Sequence, residues 1–191
     1  KGVCKGLERG GNPIVKTYNG DRQVYVFEAK ILKKLEALGQ ASEVSLFMTL
    51  TALVKVLMYR YTRQEDIVLG MPIAGRNHPD LYDQLGLYVN MLCLRDQLSG
   101  TDSFEEVLQK VKQTALDAFE HEAYPFDVLV EEIGIQRDIS RHPIFDVGIV
   151  LQNNENPDLD LESVKMELIP RVFKTSKFDL HFDFDTETDR L

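Results

Sequence analysis

Histidine is the side chain most often used for acid–base chemistry near neutral pH, and this chain of 191 residues has four of them. They lie far apart in the sequence, at His78, His121, His142 and His181. The chain contains neither a Gly-x-Ser-x-Gly nucleophile turn nor a Gly-x-x-x-x-Gly-Lys-Ser/Thr phosphate loop. His121, near a predicted helix end, is better explained as a cation at the negative end of the helix dipole than as a base. The histidines by themselves therefore define no catalytic site.

Four polar side chains that could bind a divalent cation occur together near the C-terminus. They alternate with apolar residues in the segment Phe178, Asp179, Leu180, His181, Phe182, Asp183, Phe184 and Asp185. Carboxylates are the ligands that hard divalent cations prefer. Successive side chains of a strand point to opposite faces, however, so the polar side chains would share one face and the apolar ones the other. We therefore predict a strand with one solvated face, and no metal site.

Two further polar residues stand next to predicted strands. Gly75 permits a tight backbone turn before Arg76. A loop arginine of this kind is either solvated or paired with a carboxylate that is costly to bury alone. Asn90 lies between two apolar stretches, so its amide must find hydrogen-bond partners. Backbone groups at the start of the strand would satisfy it.

The hydrophobic pattern predicts the elements that position these residues in the first half of the chain. They are a buried strand over 22–27, a helix over 28–38 that Gly39 ends, a helix from a Ser45 cap to about Tyr61, and a strand over 66–71 that Pro72 ends. The second helix is apolar on most sides, so it should be deeply buried. A polar loop with one helical turn follows over 75–83.

In the second half, the pattern predicts a strand over 88–95, a helix capped by Ser103, a helix from Pro125 to Ile133, and strands over 144–151, 164–169 and 178–184. Helices and strands thus alternate in pairs along the chain. This order predicts the α/β (α+β) class, with a mixed sheet flanked by helices.

Composition excludes several classes of function. The net charge is -9 and the basic residues are scattered, which argues against nucleic acid as a partner. The longest apolar run, 46–58, contains Lys55 and is too short to span a bilayer, and no signal peptide is visible. Cys4 and Cys93 form no metal or redox spacing and indicate reduced thiols. We expect a cytoplasmic protein that binds neither nucleic acid nor membrane.

Three long segments resemble motifs of the condensation domain of nonribosomal peptide synthetases. They are LGLYVNMLCLR at 85–95, HEAYPFDVLVE at 121–131 and RDISRHPIFDV at 137–147. GMPIAGR at 70–76 resembles the Gly-x-Pro-x-Ala-Gly-Arg loop of that family, and KFDL at 177–180 resembles one of its strands. The resemblance covers residues 22–191. Residues 1–21 match poorly and are expected to form a poorly ordered approach segment.

The resemblance implies one chloramphenicol-acetyltransferase-like subdomain, the C-terminal half of a condensation domain, truncated at both ends. In this family two carrier proteins deliver substrates on phosphopantetheine arms, and an acceptor amine attacks a donor thioester to form a peptide bond. The family's catalytic His-His-x-x-x-Asp-Gly motif does not occur in this chain. The chain would therefore supply one wall of the tunnel in which the two substrates meet, together with a docking surface for carrier proteins. It would be inactive alone.

The implied partners are the N-terminal half of the domain, aminoacyl and peptidyl carrier proteins, and an adenylation domain of the parent chain. No cofactor is expected to bind directly, since the phosphopantetheine belongs to the carrier proteins. The half-domain interpretation also predicts an exposed apolar face where the other half would pack.

The resemblance also implies roles for individual residues. Arg76 would reach the aspartate of the absent motif, and Asn90, with Tyr88 and Gly75, would lie beside the tunnel where the substrates meet. Residues expected to shape the subdomain without catalysis are Tyr124, Pro125, Phe126, Asp138, Arg141 and Pro143. His142 stands where the family usually has asparagine or another small or polar residue.

Two alternatives remain open from the sequence. The chain could be a non-catalytic module that binds carrier proteins or another partner. It could also be half of an epimerisation domain or of a standalone acyltransferase of the same superfamily. An intact His-His-x-x-x-Asp-Gly motif upstream would argue against the first alternative.

Overall fold

The fold is a mixed sheet with helices packed on it. A computed structural model describes residues 15–136, 138–152, 174–186 and Leu191. Within these residues the α-helices are α1 (Ala29–Ala41), α2 (Leu46–Thr62), α3 (Phe104–Glu120) and α4 (Phe126–Glu132), and a 3-10 turn spans Pro79–Leu81. The strands are β1 (Asp66–Ile73), β2 (Asn90–Gln97), β3 (Val147–Gln152) and β4 (Leu180–Asp185). The predicted α/β class is confirmed, whereas the strand predicted over 164–169 lies outside the described residues.

Two helices begin at the serine caps that the sequence predicts. At the start of α2, Ser45 Oγ accepts a hydrogen bond from the Met48 backbone N–H at 3.2 Å. At the start of α3, Ser103 Oγ accepts from the Glu106 N–H at 3.2 Å, and the Glu106 carboxylate accepts from the Ser103 N–H at 2.7 Å. This reciprocal capping box satisfies N–H groups that have no partner inside the helix.

The sheet has the strand order β2-β1-β3-β4. β1 and β2 are antiparallel, and their register pairs Asp66 with Gln97 at one end and Ile73 with Asn90 at the other. β3 runs parallel to both β1 and β4. The antiparallel pair therefore brings the end of β1 and the start of β2 to one edge of the sheet, so the chain leaving β1 passes beside the chain entering β2.

The main core lies between one face of the sheet and the helices α2 and α3. Its buried members include Ala52, Val54 and Met58 of α2, Ile67, Leu69 and Met71 of β1, Leu92 and Leu94 of β2, Leu108, Val111 and Ala115 of α3, and Val147 and Ile149 of β3. Burying a Val, Leu or Ile side chain contributes about 1.5–3 kcal/mol. This core is therefore the main source of stability, and α2 is buried on most sides, as its composition predicts.

Aromatic rings cover the opposite face of the central strands. Gly70 of β1 and Gly148 of β3 are paired in the parallel register. A Cβ at Gly70 would lie 1.9 Å from the Phe145 ring, and a Cβ at Gly148 would lie 2.8 Å from the Phe178 ring. Glycine is therefore required at Gly70 so that a phenylalanine ring can lie directly on the backbone.

The segment 22–27 is not the buried strand that its alternating pattern predicts. It has no regular secondary structure, and its apolar side chains at 24–27 are exposed, Tyr25 by 75%. Phe27 exchanges backbone hydrogen bonds with Leu191, at 2.7 and 3.3 Å. The prediction is wrong because alternation produces a buried strand only where a neighbouring strand and a packing face cover it. No strand pairs with this segment in the part of the chain that the structure describes.

Gly39 does not end its helix. α1 continues to Ala41, and Gly39 is buried within it. A Cβ at this position would lie 2.9 Å from the Val44 carbonyl oxygen and 3.1 Å from Thr49 Oγ1. The glycine therefore allows the chain after α1 to pack closely against the helix instead of terminating it.

Pro72 does not end its strand either. It lies within β1 opposite Met91 of β2. The pairing of β1 with β3 covers Leu69 and Gly70 only, before the proline. A residue without an N–H is tolerated where a strand has no neighbour on one side, which is the reason the prediction fails here.

The predicted approach segment is described in part, over residues 15–21. The Ser176 N–H donates to the Tyr18 carbonyl at 2.9 Å, and Asn19 forms an isolated bridge with Thr175. Residues 15–20 are therefore held against the chain that leads into β4.

A membrane-spanning helix is not found among the residues with described structure. No single helix is long and apolar enough to cross a bilayer, and the pair α1 and α2, bent by 101°, passes only on joint length and composition.

Candidate functional site

Gly75, Arg76, Tyr88 and Asn90 lie together at the edge where β1 ends and β2 begins. Gly75 has a φ of 64°, and a Cβ there would lie 2.0 Å from the Tyr88 carbonyl oxygen. Both the left-handed backbone and the close approach require glycine. The contact between Gly75 and Tyr88 closes the base of the loop over residues 74–89, which we call the Arg76 loop.

Arg76 is held inside this loop. Its guanidinium donates hydrogen bonds to the Leu81 carbonyl and, at 3.2 Å, to the Gly86 carbonyl. Its Cζ lies 4.5 Å from the centre of the Tyr88 ring, a cation–π contact. The ion pairs among the described residues do not include Arg76. The arginine is thus fixed by neutral acceptors, and its positive charge is not neutralised by a carboxylate there.

Asn90 joins the start of β2 to the connection between α3 and α4. Its Nδ2 donates to the carbonyls of Glu122 at 3.0 Å and Tyr124 at 2.8 Å, and its Oδ1 accepts from the Phe126 N–H at 3.1 Å. One side chain therefore satisfies three backbone groups that have no helical partner. The amide is satisfied by backbone groups, as expected, but these belong to the connection between α3 and α4 and to the first residue of α4, and not to the start of the strand.

The connection between α3 and α4 contains the expected structural residues Tyr124 and Pro125, and the third, Phe126, begins α4. His121 follows α3 directly, and its Nδ1 lies 2.9 Å from the Asp117 carbonyl oxygen. This contact at the carbonyl end of the helix agrees with the predicted non-catalytic role. Pro125 precedes α4, where its missing N–H is not needed.

The loop before β3 contains the predicted local network around Ser140. Asp138 Oδ1 accepts from the Ser140 N–H at 2.8 Å and from Ser140 Oγ at 2.6 Å, and these hydrogen bonds lower the pKa of Asp138. Arg141 forms an ion pair with the buried Asp146, and Pro143 is exposed in the same loop. Asp146 was not predicted as the partner of Arg141. In a helix, a spacing of three or four residues places two side chains next to each other, but in a loop a spacing of five residues does not determine whether they meet.

A second buried ion pair, also missed from the sequence, lies inside the main core. Lys55 of α2 is fully buried and pairs with Asp96 of β2, and its Nζ also donates to the Leu94 carbonyl at 2.9 Å. Thr114 of α3 donates to the other Asp96 oxygen at 2.6 Å. Burial lowers the pKa of Lys55, and the Asp96 carboxylate opposes this effect. Two features of the sequence could have indicated this ion pair. Lys55 is the lone lysine in an apolar helix, and Asp96 continues the alternating positions of Leu92 and Leu94, which face the core.

The polar face of β4 is arranged as the alternation predicts. Leu180, Phe182 and Phe184 are half-buried, whereas the intervening polar side chains are exposed. Gln152 donates to Asp183 at 3.2 Å across β3 and β4. Within the described ranges, no group of three His, Cys, Asp or Glu side chains has the arrangement of a metal site.

Cys93 is not an activated nucleophile. It lies in β2, and burial raises its pKa to about 11. A thiol with such a pKa is protonated at neutral pH, so it is a poor nucleophile and a poor metal ligand. Cys4 lies outside the described residues.

Comparison with known proteins identifies the family. The family model named Condensation domain matches residues 8–191. Tyrocidine synthase 3 of Brevibacillus parabrevis is 42% identical over 168 residues, which are 88% of this chain and 3% of that protein. Gramicidin S synthase 2 of Aneurinibacillus migulanus is 38% identical over 179 residues, which are 94% of this chain and 4% of that protein. The chain thus spans a small fraction of the curated relatives that it matches.

Solved structures share the fold. The X-domain from teicoplanin biosynthesis superposes with a TM-score of 0.81 at 20% identity, over 92% of this chain and 39% of the X-domain chain. The condensation domain of the Monacolin K polyketide synthase MokA superposes with a TM-score of 0.74 at 18% identity, over 92% of this chain and 43% of that one. At these identities the likeness concerns the fold alone. Together with the family match over nearly the whole chain and the relatives at about 40% identity, it shows that this protein belongs to the condensation-domain family of nonribosomal peptide synthetases.

Proposed function

We propose that this chain is part of a condensation domain that forms a peptide bond between a thioester donor and an amine acceptor, both tethered to carrier proteins. The observation that carries the proposal is the arrangement at the edge of the sheet. There, the antiparallel pairing of β1 and β2 brings together Gly75, Arg76, Tyr88 and Asn90. These are the residues that, by their resemblance to the family's motifs, are expected to lie beside the substrate tunnel.

Arg76 is proposed to pair with the aspartate of a His-His-x-x-x-Asp-Gly motif supplied by another part of the parent protein. The arginine is suited to this role because its loop fixes it with carbonyl acceptors and leaves its charge without an anionic partner among the described residues. A carboxylate brought to this edge would gain a preorganised cation, which offsets the cost of its burial. The catalytic base is likewise proposed to come from that motif, since this sequence does not contain it.

The contribution of this chain is therefore proposed to be positioning. Holding two tethered reactants in the correct geometry can supply a large part of a rate enhancement without a base. The phosphopantetheine arms would belong to the carrier proteins and would enter the tunnel from outside. The proposed partners are the other half of the condensation domain, the carrier proteins and an adenylation domain of the parent chain.

A second candidate function is a non-catalytic binding module. The observation in its favour is the fold shared with the X-domain from teicoplanin biosynthesis. That domain has been solved in complex with OxyB, and in this complex it superposes on the present chain with a TM-score of 0.81. In this case the same edge would contact a partner protein and no amide would form.

The test uses the parent protein with both substrates loaded on their carrier proteins. We expect Arg76→Ala to reduce amide formation by at least about tenfold, which corresponds to roughly 1.4 kcal/mol of lost stabilisation. The matched control is Arg95→Ala, which removes an exposed arginine of β2 outside the Arg76 loop. Unchanged product formation by a folded Arg76→Ala protein would refute the role of Arg76. A wild-type parent that forms no amide and binds a partner protein would favour the binding module.

A further inference from the structure

His142 lies in a cluster of aromatic rings on the face of the sheet opposite the main core. Its ring stacks on Phe145, with centroids 4.2 Å apart and an interplanar angle of 30°. The Phe178 ring lies 5.3 Å away and the Phe126 ring 5.6 Å away. Phe145 belongs to the same loop before β3 as His142, whereas Phe126 belongs to α4 and Phe178 to the chain entering β4, so His142 links its own loop to two other segments of the fold.

The Nδ1 atom of His142 is buried and has no hydrogen-bond partner in the described parts of the chain. In the neutral imidazole, such an atom is tolerated as an acceptor without a donor. After protonation of both nitrogens, the same position would carry a buried N–H on a cation, with no acceptor to receive it. The geometry therefore favours the neutral ring.

The charged groups around His142 do not compensate a proton on the ring. Asp146 is the anion that acts on the ring, and it is already engaged in the ion pair with Arg141. Lys16, from the N-terminal segment, adds a positive charge and is held there by a hydrogen bond to the Lys177 carbonyl at 2.6 Å. On the β4 side, the His181 ring contacts the Phe178 ring edge-on, with centroids 5.6 Å apart. Burial, and secondarily Lys16, lower the pKa of His142, whereas Asp146 acts in the opposite direction.

Phe126 joins the cluster to the candidate site. Phe126 is the first residue of α4, its ring contacts both His142 and Phe145, and its N–H donates to Asn90 Oδ1 at 3.1 Å. The start of α4 is thus held from two sides, by Asn90 and by the aromatic cluster. A change at His142 would be transmitted to the Asn90 side chain through Phe126.

We propose that His142 is a pH-sensitive latch, which holds the start of α4 against the sheet while the imidazole is neutral and releases it on protonation. The ordinary pKa of 6.5 applies to His142 in the released form, and the pKa is lower in the closed form. The closed form is therefore fully favoured above pH 6.5 and loses stability as the pH falls below that value, until the lower pKa of the closed form is reached.

Hydrogen exchange of the full chain, measured by mass spectrometry at pH 7.5 and pH 5.5 and corrected for intrinsic rates, tests the latch. We expect the protection of a peptide covering 124–133 to fall at pH 5.5 by up to about tenfold, the limit set by a pKa of 6.5 in the released form. Protection within α3 serves as the internal control and should not change. In His142→Phe, which keeps an aromatic ring without a titrating group, the decrease should disappear.

His181→Asn is the matched control, because it removes the other histidine near the Phe178 ring and should retain the wild-type decrease. If His142→Phe fails to fold, as judged by lost protection in α3, His142→Asn takes its place. A wild-type change smaller than twofold would overturn the proposal. So would an equal decrease in the folded His142 variant, since the titrating group would then be elsewhere.

Discussion

The buried ion pair between Lys55 and Asp96 gives the sharpest prediction about stability. Lys55 side-chain exposure is 0% and that of Asp96 is 3%, so neither charge is solvated. Lys55→Met replaces the lysine with an apolar side chain of similar length. It would leave Asp96 as a buried carboxylate with Thr114, at 2.6 Å, as its remaining side-chain donor among the described residues.

The magnitude follows from this loss of compensation. Removing one partner of a buried ion pair costs about 3–5 kcal/mol, because the remaining charge stays in the interior. The double variant Lys55→Met/Asp96→Leu removes both charges and should lie much closer to the wild type. Its remaining cost of about 1–3 kcal/mol comes from the Leu94 carbonyl and the Thr114 hydroxyl, which lose their partners. For a domain of ordinary stability, about 5–15 kcal/mol, this loss is between about a fifth and the whole of the free energy of unfolding.

Urea unfolding at pH 7, followed by far-UV circular dichroism, measures the effect on the full chain or its parent domain. Arg95→Met is the matched control: it breaks the ion pair with Asp66, whose side chains are 69% and 44% exposed, and should cost at most about 1 kcal/mol. The reasoning is wrong if Lys55→Met costs no more than Arg95→Met. It is also wrong if the double variant is as unstable as the sum of its single variants, because the two charges would then not be coupled.

Two further predictions concern the backbone. Gly75→Ala places a Cβ 2.0 Å from the Tyr88 carbonyl oxygen at a φ of 64°, so we expect a loss of more than about 1 kcal/mol in thermal or urea unfolding. Gly134→Ala, at a φ of 65° with no atom within 4 Å of its Cβ, is the control for backbone strain alone; an equal loss in the two variants would contradict the role of the contact. Ser103→Ala removes the cap of α3 and should cost about 1 kcal/mol, whereas Ser99→Ala, in the preceding exposed turn, should cost less. A Ser103→Ala protein as stable as the wild type would show that Glu106 alone is sufficient.

Features that depend on neighbouring residues could be predicted from the sequence. Ser45 and Ser103 cap helices because each cap contacts a backbone group three residues away, within the same helix. The two faces of β4 follow from strand alternation alone. Asn90 was predicted to satisfy backbone groups near a strand start, but its partners, 32 to 36 residues away, could not be named from the pattern.

Predictions that required knowledge of the surroundings failed. The apolar alternation over 22–27 predicts a strand, yet alternation does not specify whether a neighbouring strand is available. Gly39 and Pro72 are residues that commonly end elements, but the close approach of Val44 to Gly39 and the limited pairing of β3 near Pro72 decide their actual positions within α1 and β1.

The sequence by itself determined the family, the class of fold and most of the local elements. Motifs, helix caps and hydrophobic periodicity depend only on residues that are close together along the chain. Only the tertiary structure decided which charges meet and which rings stack. Lys55 and Asp96 are 41 residues apart, and the contact between His142 and Phe126 likewise joins separate elements. Such pairs form because the burial of apolar side chains brings α2, α3, α4 and the sheet together, and a buried polar group must then find its partner wherever the packing places one.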